Sequence, residues 1–100
     1  NKIDLISDDG AHYDKHILNS FDVLFKSLKS GGYYFIEDVA LERTPKTFKI
    51  FKFLSMNKKV NGFNKEIFNK IKYVKFEKSL LNKKVLSNSN QDYLVIIKKK

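Results

Sequence analysis

At 100 residues with no cysteine, the chain makes one domain at most and has neither disulfides nor thiolate metal sites. No apolar run approaches the roughly 18–20 residues that cross a bilayer, and no signal-peptide pattern opens the sequence, so a cytoplasmic protein is expected. The formal net charge of +9 invites nucleic acid or an anionic surface as partner, yet residues 1–45 carry five basic and eight acidic side chains while residues 46–100 carry fifteen and three.

Ile3, Leu5 and Ile6 read as a short buried strand over residues 2–7, bounded by the turn-forming Asp8-Asp9-Gly10. Ile17, Phe21, Leu24, Phe25 and Leu28 then recur at helical spacing and predict one apolar helix face. Ser30-Gly31-Gly32 supplies the expected stop, because glycine tolerates the left-handed conformation that often closes a helix. Residues 33–37, YYFIE, follow as a nearly continuous apolar strand of the kind found where both sheet faces are covered. Strand, helix, strand in about 35 residues is the size of a right-handed parallel crossover.

Farther along, Pro45 suits the first turn of a helix carrying Phe48, Ile50, Phe51, Phe53 and Leu54. A short helix is predicted over roughly residues 64–71. Tyr73, Val74, Phe76 and Leu80 predict a strand, NKK and SNSNQ a turn and loop, and YLVII (93–97) a last strand antiparallel to its neighbour. The expected fold class is α/β: two parallel strands with a crossover helix, then helices and an antiparallel final strand pair.

Two apolar runs end in acid, SDDGAH (7–12) and YYFIED (33–38). In open parallel sheets, ligands bind beyond the carboxyl ends of the strands. Adjacent strands lie about 4.8 Å apart, so Asp8, Asp9, Glu37 and Asp38 come within reach of one ion. An all-oxygen donor set favours Mg2+, Mn2+ or Ca2+ over zinc. His12 has an ordinary pKa near physiological pH and suits a proton acceptor beside such an ion. Each residue also has a plainer reading: Asp8 and Asp9 as turn formers, Glu37 and Asp38 as helix-entry acids, and His12 and His16 as capping or solvated side chains.

The stretch IDLISDDGAHYDKHILNSFDVLFKSLKSGGYYFIEDV, residues 3–39, resembles the C-terminal half of class I S-adenosylmethionine-dependent methyltransferases. The likeness is to the metal-dependent sugar O-methyltransferases of the macrocin O-methyltransferase and cephalosporin hydroxylase-like group. Their pattern is a strand ending in DDGSH, a helix ending in a proline- or serine-glycine-glycine turn, and a strand ending in IED; Ala11 stands here for the commoner serine. DYLVIIKK also looks like that group's last strand. The resemblance implies a Rossmann-like sheet, S-adenosylmethionine and a divalent cation such as Mg2+ as cofactors, and a glycan or small-molecule hydroxyl as acceptor. It implies Asp9, Glu37 and Asp38 as metal ligands and His12 as general base.

No GxGxG loop of the kind that grips the cofactor in this fold occurs in the sequence. The expectation is therefore that residues 1–100 form the C-terminal part of a single methyltransferase domain, without its cofactor-binding N-terminal half. Two other readings stay open. One is a basic nucleic-acid-binding module using residues 46–100, in which Phe51, Phe53 and Tyr73 stack on single strands beside the cations of Lys49, Lys52, Lys72 and Lys75. It ranks second because phosphate readers favour arginine and the chain has only Arg43. The other is a metal-dependent hydrolase using the same acids. Whether residues 40–46 form a flap over the site is left open by the sequence.

Overall fold

The computed structural model describes residues 3–8, 13–78 and 91–100. β1 (Ile3–Asp8) is followed by α1 (Asp14–Leu24), a 3-10 turn (Phe25–Ser27) and β2 (Leu28–Val39). β1 and β2 pair in parallel, from Leu5 opposite Tyr33 to Asp8 opposite Ile36, so the crossover predicted from periodicity is present. α2 (Pro45–Ser55), α3 (Lys65–Asn69), β3 (Ile71–Lys78) and β4 (Tyr93–Lys99) complete the described elements. Pro45 opens α2, where its missing N–H is no loss. The Asn64 side chain caps α3 by accepting the Ile67 N–H at 3.1 Å. Leu80, the NKK segment and residues 87–90 of SNSNQ lie outside the described residues.

The four strands form one mixed sheet in the order β1-β2-β4-β3, with β4 antiparallel to both neighbours. β3 therefore runs in the same direction as β2. Inward residues of the sheet, Tyr34, Ile36, Val74, Val95 and Ile97, meet Ile17, Phe21, Phe25, Phe51 and Ile67 from the helical layer in one core. Phe21 is its hub: its ring centroid lies 4.9 Å from that of Tyr34 and 5.1 Å from that of Phe51, both edge-on.

Three expectations are corrected by this packing. β1 is not buried: it is an edge strand, and Ile3 and Leu5 are 46% and 51% exposed. The apolar face of α1 ends earlier than its spacing suggests, because Leu24 is 39% exposed and Leu28 opens β2. The glycine pair does not stop the helix either, since Ser30, Gly31 and Gly32 lie inside β2. The Lys99 ammonium, arriving from β4, instead donates to the Phe25 carbonyl at 3.2 Å and the Leu28 carbonyl at 2.6 Å. Carbonyls at the end of this helical segment are thus satisfied by a residue remote in sequence. Gly32 serves close approach: a Cβ there would sit 2.8 Å from the Asp4 carbonyl oxygen and 2.8 Å from Leu28 Cδ1.

The two faces of β2 differ in burial. Tyr34 and Ile36 are fully enclosed beneath the helices, whereas Tyr33 and Phe35, pointing the other way, are half-buried. Opposite the helical layer, Lys98 Nζ lies 4.1 Å above the Tyr33 ring and Lys75 Nζ 5.0 Å from that of Tyr73.

Candidate functional site

Because β1 and β2 are parallel, Asp8, Glu37 and Asp38 emerge at the same end of the sheet. The Ser7 hydroxyl donates to Glu37 Oε2 at 3.1 Å, tying the two strand ends together. Asp9 and His12, the other two residues expected in the site, lie outside the described residues. Among the described residues, no group of three or more His, Cys, Asp or Glu side chains is placed to hold a metal ion. His16 is exposed on α1 with its ring 5.8 Å from that of Tyr13, in keeping with the plainer reading of that residue.

At the tip of β2 the ladder with β4 slips. Ile36 faces Val95 and Val39 faces Tyr93, so three steps on β2 match two on β4. Asp38 takes up the excess with φ of 59°, a left-handed conformation that aspartate tolerates better than most residues. In a regular strand Glu37 and Asp38 would point to opposite faces; a bulge breaks that alternation. Both side chains are half-buried there.

The segment after the bulge is a tightly bonded turn. The Thr44 hydroxyl donates to the Ala40 carbonyl at 3.1 Å and accepts the Ala40 N–H at 3.0 Å, and both residues are buried. Arg43 Nη2 donates to the Asp38 carbonyl at 3.3 Å and pairs with the carboxylate of Asp92, a buried residue just before β4. A third tie comes from Asp14 in the first turn of α1. Its carboxylate accepts the Thr47 N–H at 2.9 Å and the Lys46 N–H at 3.1 Å, closing the first turn of α2. Sequence reading missed Ser7, Asp14, Arg43 and Asp92 as parts of this end of the molecule. Only the singularity of Arg43 in a lysine-rich chain signalled anything, since the rest depends on pairing across 30 residues or more.

Asp8, which the sequence offered as an ion-binding carboxylate or a turn former, is half-buried and acts on Tyr34. Burial, and then the Asp8 charge, push the Tyr34 phenol well above its ordinary value of 10.0.

The described residues form a small α/β domain of mixed sheet, and the carboxylates that end its parallel strands, one of them on a bulge, put the candidate site at the carboxyl end of the sheet. Similarity to known proteins narrows that class. The chain is 51% identical over 35 residues to L-olivosyl-oleandolide 3-O-methyltransferase of Streptomyces antibioticus, a stretch that makes up 35% of this chain and 9% of that enzyme. It is 40% identical over 43 residues to 8-demethyl-8-alpha-L-rhamnosyl tetracenomycin-C 2'-O-methyltransferase of Streptomyces olivaceus, covering 43% of this chain and 11% of the relative. With demethylmacrocin O-methyltransferase of Streptomyces fradiae it shares 44% identity over 36 residues, 36% of this chain and 9% of the relative. Over about a third of its length the chain is therefore similar to sugar O-methyltransferases of the macrocin type, and the match spans about a tenth of those enzymes. No family model matches the chain, and no solved structure matches it.

Proposed function

We propose that this chain is the acceptor-side, C-terminal part of a Rossmann-like, cytoplasmic O-methyltransferase that moves a methyl group from S-adenosylmethionine to a hydroxyl of a sugar or glycosylated small molecule. The observation that carries the reading is the bulged Glu37–Asp38 tip, set beside the acid end of β1 in a chain that shares 51% identity over 35 residues with a sugar O-methyltransferase. Supporting it, the sheet has the expected content: a parallel pair with a crossover helix and an antiparallel final pair. Among the described residues, no helix is long and apolar enough to cross a membrane.

Glu37 and Asp38 supply hard carboxylate oxygens, and that donor chemistry fits Mg2+ or Mn2+. In this proposal they hold the ion together with Asp9. When bound, the cation lowers the pKa of the acceptor hydroxyl and the sulfonium cofactor supplies the methyl group. His12 accepts the hydroxyl proton as the oxygen–carbon bond forms and the sulfur–carbon bond breaks. Ser7 fixes the Glu37 carboxylate by donating to Oε2, which orients one ligand before the substrate arrives. The cofactor's glycine loop belongs to a half that these 100 residues do not supply.

Labelled methyl transfer to glycoside acceptors tests the proposal, using the chain joined to the cofactor-binding half it requires, with and without EDTA. The expected result is activity lost in EDTA and in Asp9→Asn. Activity unchanged under both conditions removes the metal from the mechanism.

The aromatic and cationic outer sheet face favours a second reading, a single-strand binding module. Tyr33, Tyr73, Lys75 and Lys98 would serve it, although Phe51, one of the aromatics first assigned to it, is fully buried. Oligonucleotide binding that weakens steeply with salt, and further in a Lys72→Ala/Lys75→Ala variant, would favour it over methyl transfer.

A further inference from the structure

We infer that Arg43 is a positioning residue for the Glu37–Asp38 tip, locking the bulge through a brace to Asp92. The inference rests on the proposed role of Glu37 and Asp38 as ligands, and it adds a residue that the resemblance does not assign.

Asp38 occupies a left-handed conformation without being glycine, and residues so placed persist when their surroundings over-determine them. Two restraints act on it. β4 pairs with Ile36 and Val39 on either side of the bulge. The Asp38 carbonyl, turned out of the regular ladder, receives the Arg43 guanidinium at 3.3 Å. The other end of the brace is well anchored, because the Asp92 side chain is only 11% exposed and pairs with Arg43. A buried carboxylate requires such a partner. Thr44 holds the turn that carries Arg43 by bonding to both backbone groups of Ala40. The planar, multi-donor guanidinium suits a bridge between a carbonyl and a carboxylate, whereas a lysine ammonium is a point charge. In a chain with nineteen lysines, the lone arginine stands where two acceptors must be bridged at once.

The brace aims the Asp38 carboxylate, and Arg43 itself touches neither cation nor substrate. The test uses the chain joined to its cofactor-binding half, isotopically labelled over these 100 residues, and its Arg43→Gln, Arg43→Lys and Asp92→Asn variants. NMR reads the Asp38 backbone conformation from its three-bond coupling and carbon shifts, and Mn2+ titration reads paramagnetic broadening of the Glu37 and Asp38 amides. Arg43→Gln is expected to release Asp38 from the left-handed region and weaken Mn2+ binding about 10-fold, as loss of an outer-shell partner does. Arg43→Lys should restore part of both. Unchanged α1 and α2 amide shifts identify a folded variant, and if Arg43→Gln unfolds, Asp92→Asn decides the matter. Asp38 left-handed in every folded variant overturns the inference. Release of Asp38 in a chain whose wild type shows no Mn2+ broadening upholds the brace and overturns the metal reading instead.

Discussion

Gly32 is the residue at which side-chain size most directly limits the fold. A methyl group there meets the Asp4 carbonyl oxygen at 2.8 Å, and backbone cannot swing away as a flexible side chain would. Gly32→Ala is expected to lose about 1–3 kcal/mol, the usual range for overpacking, measured as a lowered urea midpoint at constant slope. Tyr34 carries a pH dependence. Its folded pKa is raised above 10.0 by burial and then by Asp8, so the unfolded chain releases this proton first. The stability it contributes is fully present below pH 10 and is lost as pH rises above it. Alkaline unfolding curves should therefore show a decline in the wild type that is reduced in Tyr34→Phe; identical curves would dismiss the effect. For His12, the base role predicts that His12→Ala lowers the maximal methyl-transfer rate by roughly 100-fold or more while metal affinity stays nearly unchanged. A parallel fall in affinity would make it a ligand, and an unchanged rate would discard both roles.

Between elements, helix ends are satisfied from outside the helix. α2 lacks a side-chain cap at Thr44, and Asp14 of α1 does that work instead, accepting the Lys46 and Thr47 N–H groups. This bond pair ties the starts of the two helices together at the end of the molecule where the acids lie. Asp14→Ala should cost about 1 kcal/mol, as loss of an N-cap does, and hydrogen exchange at Lys46 and Thr47 should accelerate. Protection unchanged at those two amides would show that other groups close the turn. Lys99 plays the matching part at the far end of α1, with its ammonium 5.0 Å from the centroid of the Phe25 ring and bonded to two carbonyls.

Across the whole molecule, the sheet is apolar on more faces than it covers. β2 and β4 carry Tyr33, Phe35, Leu94 and Ile96 half-buried opposite the helical layer, and β1 leaves its outer edge unpaired within the described sheet. Parallel strands are ordinarily covered on both faces, and the proposed cofactor-binding half would extend this sheet. The expected consequence is that the 100-residue chain alone does not bind S-adenosylmethionine measurably. Isothermal titration checks this: binding by the chain extended with the cofactor half, and none without it, is the predicted pair of results. Micromolar binding by the 100 residues would mean that a cofactor site exists among them.

Local pattern sufficed for the order and type of the elements, because apolar spacing records which side of a helix or strand faces the core: Ile17 and Phe21 mark α1, and Phe51 and Leu54 mark α2. The carboxylates closing two strands were equally legible, since parallel pairing of neighbouring strands sends their ends the same way. What only the tertiary structure decided was where those elements sit: β4 between β2 and β3, β1 at an exposed edge, and a left-handed bulge under Glu37 and Asp38. The reason is that strand order, bulges and the Arg43–Asp92 and Asp14–α2 ties arise from hydrogen bonds between segments far apart in the chain. Periodicity within a segment carries no record of the partner its backbone will meet.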